Sequence, residues 1–441
     1  MIAVLVACDM TVLYLALFLA IQLRMVIGGW FPITISPPVF AGVIMAVLFL
    51  PPAYGLVGLY PGYGLTGVER LRKRVVMTCA CFGAMILFDY LAQNGQWSRG
   101  ILLLTAVVSA VAIPVGDALA RRFMVDRRWW GEPVVVLGPE NQREKLVAAL
   151  FRQPELGWIP VAETSLAGAG ETPPRAELAL VALAEGTISA PAWADDLPYQ
   201  RVVLVPEVTG MPSLWVSVRD LGSHIGLEMR RNLLIPWNQT MKRTFDLALA
   251  LLAAVPAIPV IVLFALLVAA ISPGPVFFGQ ARAGLEGRPF RMWKLRSMRP
   301  NADSQLEDLI SASESARESW LHSMKVENDP RIVPLIGNLI RRCSIDELPQ
   351  LWNVLRGDMS LVGPRPLPPY HLARFDPVTE RVRRRVRPGI TGLWQVSGRS
   401  DVSLTEQQRL DIYYVRNWSL WLDIHILGRT IIAVVTGRGA R

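Results

Sequence analysis

Two acids stand side by side in Ser344-Ile-Asp346-Glu347-Leu-Pro-Gln-Leu-Trp-Asn353. Ser344 fits a helix N-cap, and neighbours on a helix point about 100° apart, so both acids can serve one site in two roles. One carboxylate can attack phosphorus while the other holds a divalent cation. An Asp-Glu pair at a helix start is also ordinary dipole chemistry, so the surroundings decide. Arg341 and Arg342 lie one turn before. Gly363-Pro-Arg365-Pro follows about 20 residues later. Arg381, Arg383, Arg384, Arg385 and Arg387 then crowd ahead of Pro388-Gly-Ile-Thr-Gly392. Arginines beside paired acids are what phosphoryl transfer needs, because cations hold and neutralise phosphate oxygens. The arginine run alone suits anionic lipid equally well. The chain has neither a Walker A pattern nor the kinase set, so ATP is not the evident donor.

These residues must be held by something, and the segment before them is informative. Residues 247–271 carry no charge and include Pro256 and Pro259, which remove helix hydrogen bonds. Arg230, Arg231, Lys242 and Arg243 precede it; Arg282, Arg288, Arg291, Lys294, Arg296 and Arg299 follow. A plain span would place one basic cluster outside, against the positive-inside rule. A helix that enters, bends at the prolines and returns satisfies both flanks. An ordinary kinked fifth span is the competing reading.

Upstream, residues 1–23, 36–60, 75–91 and 101–118 read as four membrane spans, each near the 20 apolar residues a bilayer core needs. Asp9 would be costly facing lipid, so it must face a helix partner or a dimer contact. Arg70, Arg72, Lys73 and Arg74 in one loop, and Arg121, Arg122, Arg127 and Arg128 after the last span, put both ends of this unit in the cytoplasm. Between the two membrane parts, Pro133-Val-Val-Val-Leu-Gly138 reads as a buried strand, Gln142–Arg152 as a helix, and 178–183 and 201–205 as further strands. Alternation of this kind predicts a small α/β module with a parallel sheet. The loop Gly138-Pro-Glu-Asn-Gln lacks the later glycines of a dinucleotide fingerprint, and Glu140 would repel a pyrophosphate. The C-terminal stretch mixes charge with apolar residues and carries Trp418 and Trp421, which favour headgroup level, so it reads as helices lying on the membrane.

Composition agrees. The chain has 441 residues, 52% hydrophobic and 18% charged, with net charge +9. Its mean hydropathy of +0.35 argues against a wholly soluble protein, and its basic pI of 9.7 suits an anionic partner. Only five of its 45 basic residues are lysine; arginine forks phosphate, although a coding bias explains this equally well. Four scattered cysteines and four histidines show neither disulfide-framework nor zinc spacing.

From Lys242 onward the chain resembles the bacterial sugar transferase family, the monotopic polyprenyl-phosphate sugar-1-phosphate transferases. The resemblance rests on Lys242-Arg-Thr-Phe-Asp246, Ser272-Pro-Gly-Pro-Val-Phe-Phe278, Trp293-Lys-Leu-Arg-Ser-Met298, Asn328-Asp-Pro-Arg331, Ser344–Asn353, Arg356-Gly-Asp-Met-Ser-Leu-Val-Gly-Pro-Arg-Pro366 and Arg387-Pro-Gly-Ile-Thr-Gly-Leu-Trp-Gln-Val-Ser-Gly398. The preceding spans and module are similar to the larger members that act on undecaprenyl phosphate and galactose. The resemblance implies three parts: a four-helix transmembrane domain at 1–122, a degenerate Rossmann-like α/β module at 132–240, and a mainly α monotopic catalytic domain at 241–441 with a re-entrant helix at 245–271.

It further implies Asp346 as nucleophile of a covalent phospho-sugar intermediate that expels UMP, and Glu347 as the acid associated with Mg²⁺. Lys294, Arg341, Arg365 and Asp411 match other active-site positions; Arg296, Arg341, Arg365 and Arg387 are the phosphate-binding arginines it implies. The expected partners are a UDP-sugar donor, undecaprenyl phosphate, membrane lipid and a second copy in a homodimer, with no nucleic acid. The expected place is the bacterial inner membrane with catalysis on the cytoplasmic face. Galactose is favoured over glucose as the sugar. A non-enzymatic scaffold of polysaccharide assembly is the alternative. One departure is the bend of the re-entrant helix: the family commonly has Ser-Pro, and this chain has Ile258-Pro259 with an extra Pro256.

Overall fold

A computed structural model describes residues 1–27, 39–92, 98–164, 176–183, 197, 199–206, 216–220, 225–229, 232–299, 331–372, 374–397 and 403–435. Residues 36–38 of the second expected span, Arg230, Arg231, the Asn328-Asp-Pro stretch and Gly398 lie outside them. The chain divides into two compact units, Met1–Gly210 and Met211–Arg441.

The first unit opens with four helices: α1 (Ile2–Ile27), α2 (Val39–Leu56), α3 (Gly67–Ala92) and α4 (Arg99–Asp126). Leu13, Leu50, Tyr54, Leu59, Phe82, Met85, Leu102 and Ile113 form their common core. Tyr14, Phe18, Phe88, Val107 and Val111 point outward, as suits an apolar solvent. Asp9 has a partner within its own bundle. Arg74 donates to Asp9 at 2.7 Å and to Asp117 at 2.8 Å, Arg121 donates to Asp117 at 2.8 Å, and Tyr60 donates to Asp9. Two acids and two arginines thus close a neutral buried cluster.

This corrects the third expected span. The helix begins at Gly67 rather than near residue 75, and Arg70 and Arg74 are buried on it rather than carried in a loop. Hydropathy missed that turn because it scores an arginine as if unpaired; here Arg70 reaches the carbonyls of Leu65 and Glu155.

The rest of the unit is a small parallel sheet. Strands β1 (Glu132–Leu137), β2 (Trp158–Thr164), β3 (Leu178–Ala182) and β4 (Arg201–Val205) lie in the order β2-β1-β3-β4, with α5 (Glu140–Arg152) between β1 and β2. Strand alternation divides the valines. Val134 and Val136 pack with Leu178 and Leu180 under Val147 and Leu150 of α5; Val135 and Leu137 face Ala179, Val181 and Tyr199.

The second unit begins with the hairpin β5 (Val216–Asp220) and β6 (Ile225–Met229). Helix α6 (Pro236–Ile271) then runs 36 residues through both prolines, starting earlier than the expected 245. Together with α1, α3 and α4, it is one of four described helices long and apolar enough to cross a membrane. Beyond it lie the antiparallel pair β7 (Phe277–Ala283) and β8 (Pro289–Leu295), then α7 (Gly337–Arg342), α8 (Gln350–Arg356) and β9 (Ser360–Val362). Helices α9 (Pro369–Leu372) and α10 (Pro377–Arg383), strand β10 (Gly389–Thr391, parallel to β9), and helices α11 (Leu393–Ser397), α12 (Leu404–Arg416) and α13 (Leu420–Val435) complete it.

Trp418 departs from its headgroup expectation. It is buried, and its indole donates to Asp423 at 3.0 Å. Lys242 of α6 also donates to Asp423, at 2.8 Å, and Tyr414 lies 2.8 Å from its other oxygen. Asp246 of α6 accepts from Ser360 at 2.6 Å, and Arg243 donates to the carbonyl of Val354 at 2.7 Å. The polar start of α6 is therefore built into the fold.

Candidate active site

The acids sit on a single 3₁₀ turn, Ile345–Glu347, and not on the helix the sequence predicts; α8 starts three residues later. Ser344 does not cap this turn through its side chain. It holds a left-handed backbone with φ 56°, a conformation that costs a non-glycine residue about 1 kcal/mol. That kink separates the turn from α7 and directs two successive carboxylates toward β8.

β8 supplies the cation between them. Lys294 Nζ lies 3.2 Å from Glu347 Oε1 and 3.6 Å from Asp346 Oδ2. Arg365, in the rigid Pro364-Arg-Pro366 loop after β9, donates to the same Glu347 oxygen at 2.6 Å. Four of the expected residues, Asp346, Glu347, Lys294 and Arg365, are thus in mutual reach.

Their electrostatics differ sharply. Burial raises the Asp346 carboxyl above the usual carboxylate range; Lys294 opposes this, Glu347 adds to it, and Arg365 and Arg341 oppose it. Burial also works against ionised Glu347, but Arg365 and Lys294 overcome it and hold this carboxyl well below the usual range. Environments that push neighbouring acids apart assign them different tasks. Glu347 is a fixed anion, and Asp346 is the less compensated of the two.

The remaining expected residues are placed differently. Arg341, partly buried on α7, acts on Asp346 through its charge. Asp411 of α12 is buried against Arg383, and Arg383 donates to the main-chain carbonyl of Arg365 at 2.6 Å. Asp411 thus reaches the carboxylates at second hand. Arg296 is buried and donates to the carbonyls of Ser272 and Pro273, closing the C-terminal end of α6. Arg387 donates to the carbonyl of Gly357 at 3.0 Å. The described contacts of these two arginines are therefore main-chain contacts, not contacts with the acids. Ile258 and Pro259 sit within continuous helix, where Pro256 and Pro259 leave the carbonyls of Leu252 and Val255 without their usual donors.

Sequence reasoning gave no role to Asn353, whose amide binds β8, or to Arg383 as an internal brace. The only signal for either was its place inside a quoted stretch.

Paired acids beside fixed cations on an apolar-anchored chain suit phosphoryl-group transfer at a membrane. Residues 237–437 match the profile of the bacterial sugar transferase family. The chain is 33% identical over 392 residues to the UDP-galactose-lipid carrier transferase of Erwinia amylovora, covering 83% of this chain and 82% of that one. It is 39% identical over 244 residues to the undecaprenyl-phosphate galactose phosphotransferase of Salmonella typhimurium, covering 55% and 50%. It is 34% identical over 246 residues to the UDP-glucose:undecaprenyl-phosphate glucose-1-phosphate transferase of Escherichia coli, covering 54% and 50%. The chain belongs to the bacterial sugar transferase family.

Proposed function

We propose that the protein transfers a hexose-1-phosphate, galactose in first place, from a UDP-sugar to undecaprenyl phosphate. The observation that carries this is the placement of Asp346 beside a Lys294–Glu347–Arg365 cluster. Ionised Asp346 attacks the sugar-bearing phosphorus of the donor. A bond forms from Asp346 to that phosphorus, and the bond to the UMP oxygen breaks, leaving an aspartyl phospho-sugar. An oxygen of undecaprenyl phosphate then attacks the same phosphorus and displaces Asp346, giving undecaprenyl-diphospho-sugar. Lys294 and Arg365 neutralise charge that gathers on the phosphoryl oxygens.

The donor set fits Mg²⁺. Among the described residues no group of three acids, histidines or cysteines forms, and this ion is ordinarily held by one or two carboxylates plus substrate phosphates. Glu347, whose second oxygen has no described hydrogen bond, would hold it, with Asp346 next to it. When bound, the ion supplies neutralisation of the diphosphate.

Catalysis belongs at the cytoplasmic face of the inner membrane, where a soluble nucleotide sugar meets a lipid phosphate. A re-entrant α6 provides that placement. A straight helix would hold Arg243 and Val268 about 38 Å apart. Yet Arg243 bonds Val354, the next residue to Asn353, which bonds Trp293, while Val268 packs on Leu295 two residues further along β8. Both ends of α6 thus meet one small group of residues, which favours a helix that turns back. Replacing Pro256 and Pro259 with alanine is expected to straighten it and cut UMP release at least about 10-fold by misplacing the site. Unchanged activity and unchanged cytoplasmic labelling in that variant would count against the re-entrant reading.

The named relatives include both galactose and glucose transferases, so the donor is the open choice. UMP release should be measured from a panel of UDP-sugars by the protein in nanodiscs with Mg²⁺ and undecaprenyl phosphate. Release with UDP-galactose is expected; release with UDP-glucose alone changes the sugar. No release with any donor, from folded protein, would favour a scaffold.

A further inference from the structure

Lys294 stands on β8, whereas Asp346 and Glu347 stand on the turn before α8. Their 3.2 and 3.6 Å separations therefore depend on what fixes a strand against a helix. Among the described residues β8 pairs with β7 alone, so no described strand covers its other edge. At that edge the Arg291 carbonyl and the Trp293 N–H point the same way, as residues two apart on a strand do.

Asn353, 1% exposed on α8, meets both. Its Oδ1 accepts from Trp293 N at 3.0 Å, and its Nδ2 donates to the Arg291 carbonyl at 2.8 Å. One side-chain amide carries the donor and the acceptor of one peptide group, so Asn353 stands in for a residue of a third strand. Its second amide hydrogen goes to Asp358 at 3.2 Å, which fixes the direction of the amide. The main-chain carbonyl of Asn353 receives the N–H groups of Gly357, Asp358 and Met359, so the residue is also locked from its own side. The paired groups flank Met292, with Trp293 the residue directly before Lys294, and five residues of tight turn and helix lie between Glu347 and Asn353.

The structure assigns to Asn353 the positioning of Lys294 against the Asp346–Glu347 pair. This rests on that pair being the reacting site. Asn353 touches neither acid, so it is a positioning residue. Its effect must show in a property that Lys294 controls.

Asn353→Asp is the sharp variant. A carboxylate still accepts from Trp293 but cannot donate to Arg291, and it faces the carboxylate of Asp358. The groups around Asp346 are Lys294 on β8, Glu347 on its own turn, Arg365 on the loop after β9 and Arg341 on α7. Withdrawal of Lys294 removes a cation that favours ionised Asp346. In the full-length protein in nanodiscs, UMP release from UDP-galactose should show kcat reduced about 10-fold or more. The KM for donor should stay within about twofold, as for an interaction made chiefly in the transition state. In a Lys294→Met background the same substitution should change kcat by less than about twofold, since its effect passes through Lys294.

A further fall of about 10-fold in that background, or full activity of the single variant, overturns the assignment. If Asn353→Asp does not yield a monodisperse protein, Asn353→Asp/Asp358→Asn decides. The amide at 358 then donates to the carboxylate at 353, the like charges are gone, and Arg291 remains unpaired. The same fall in kcat, absent in the Lys294→Met background, is expected there, and a wild-type kcat overturns the assignment. Asp346→Asn is the control: if it stays active, the reading of the site itself fails. An inactive Asp346→Asn together with a fall in kcat that persists without Lys294 sinks the Asn353 assignment alone.

Discussion

Asp346→Asn is expected to lower UMP release by about 10⁴-fold or more, the scale on which a lost covalent nucleophile acts, and at the same time to raise the thermal midpoint. The first effect follows from chemistry, since an amide oxygen does not form the phospho-sugar bond. The second follows from burial, which raises the carboxyl of Asp346 despite Lys294, Arg365 and Arg341. A group that holds its proton more tightly folded than unfolded costs stability once pH exceeds its folded value. A neutral amide removes that cost, and Lys294 keeps Glu347 at 3.2 Å as its partner.

Glu347→Gln should move stability the other way, by about 1.5–3 kcal/mol, because Lys294 and Arg365 lose a charged acceptor. The folded value of Glu347 is depressed. Its contribution is therefore present above about pH 4.3, its unfolded value, and is lost as pH falls below that. Thermal scans of both variants from pH 4 to 8 in one lipid or detergent check the signs. A lowered midpoint for Asp346→Asn would show that its anion is fully compensated and would remove the electrostatic basis for its role.

How far the sequence disclosed this arrangement differs from residue to residue. Asp346 and Glu347 were legible because they are adjacent and flanked by arginines. Lys294 entered the site only through the resemblance, and Arg365 only as one of several arginines near the acids, because 53 and 18 residues separate them from Glu347 and no local pattern links them. Asp9 was recognisable as needing a partner, but Arg74, 65 residues away, could be named only from the packed bundle. Arg296 and Trp418 show the converse failure. Each has the side chain expected of a phosphate or headgroup contact, and each is spent on an internal partner. Residue type states what a group can do; burial and the nearest acceptor decide which of those things it does.

The second large effect is expected at Asp423. Asp423 is fully buried and receives Lys242 at 2.8 Å and the Trp418 indole at 3.0 Å, with Tyr414 at 2.8 Å from its other oxygen. Burial still leaves its carboxyl above the usual range despite Lys242, Trp418 and Tyr414, so the charge is incompletely compensated. Asp423→Ala should lower stability by about 3 kcal/mol, because the mostly buried Lys242 ammonium, left with Asp246 at 3.6 Å, and a buried indole N–H lose that acceptor. Tyr414 suffers less, since its hydroxyl can turn to the Val362 carbonyl at 2.9 Å.

Lys242→Met/Asp423→Leu removes both charges and should recover part of the loss, the remainder reflecting buried Asp246, which loses Lys242 at 3.6 Å. Denaturant titrations of the two variants distinguish this from simple loss of packing. If Asp423→Ala stays within about 1 kcal/mol of the wild type, or the double variant is no better than the single, the pair is not what holds the start of α6 to α13. If the expected order holds, the Lys242–Asp423 pair is a main anchor of the polar end of α6, beside the Asp246 and Arg243 contacts. The apolar part of that helix is then free to follow its prolines and the membrane.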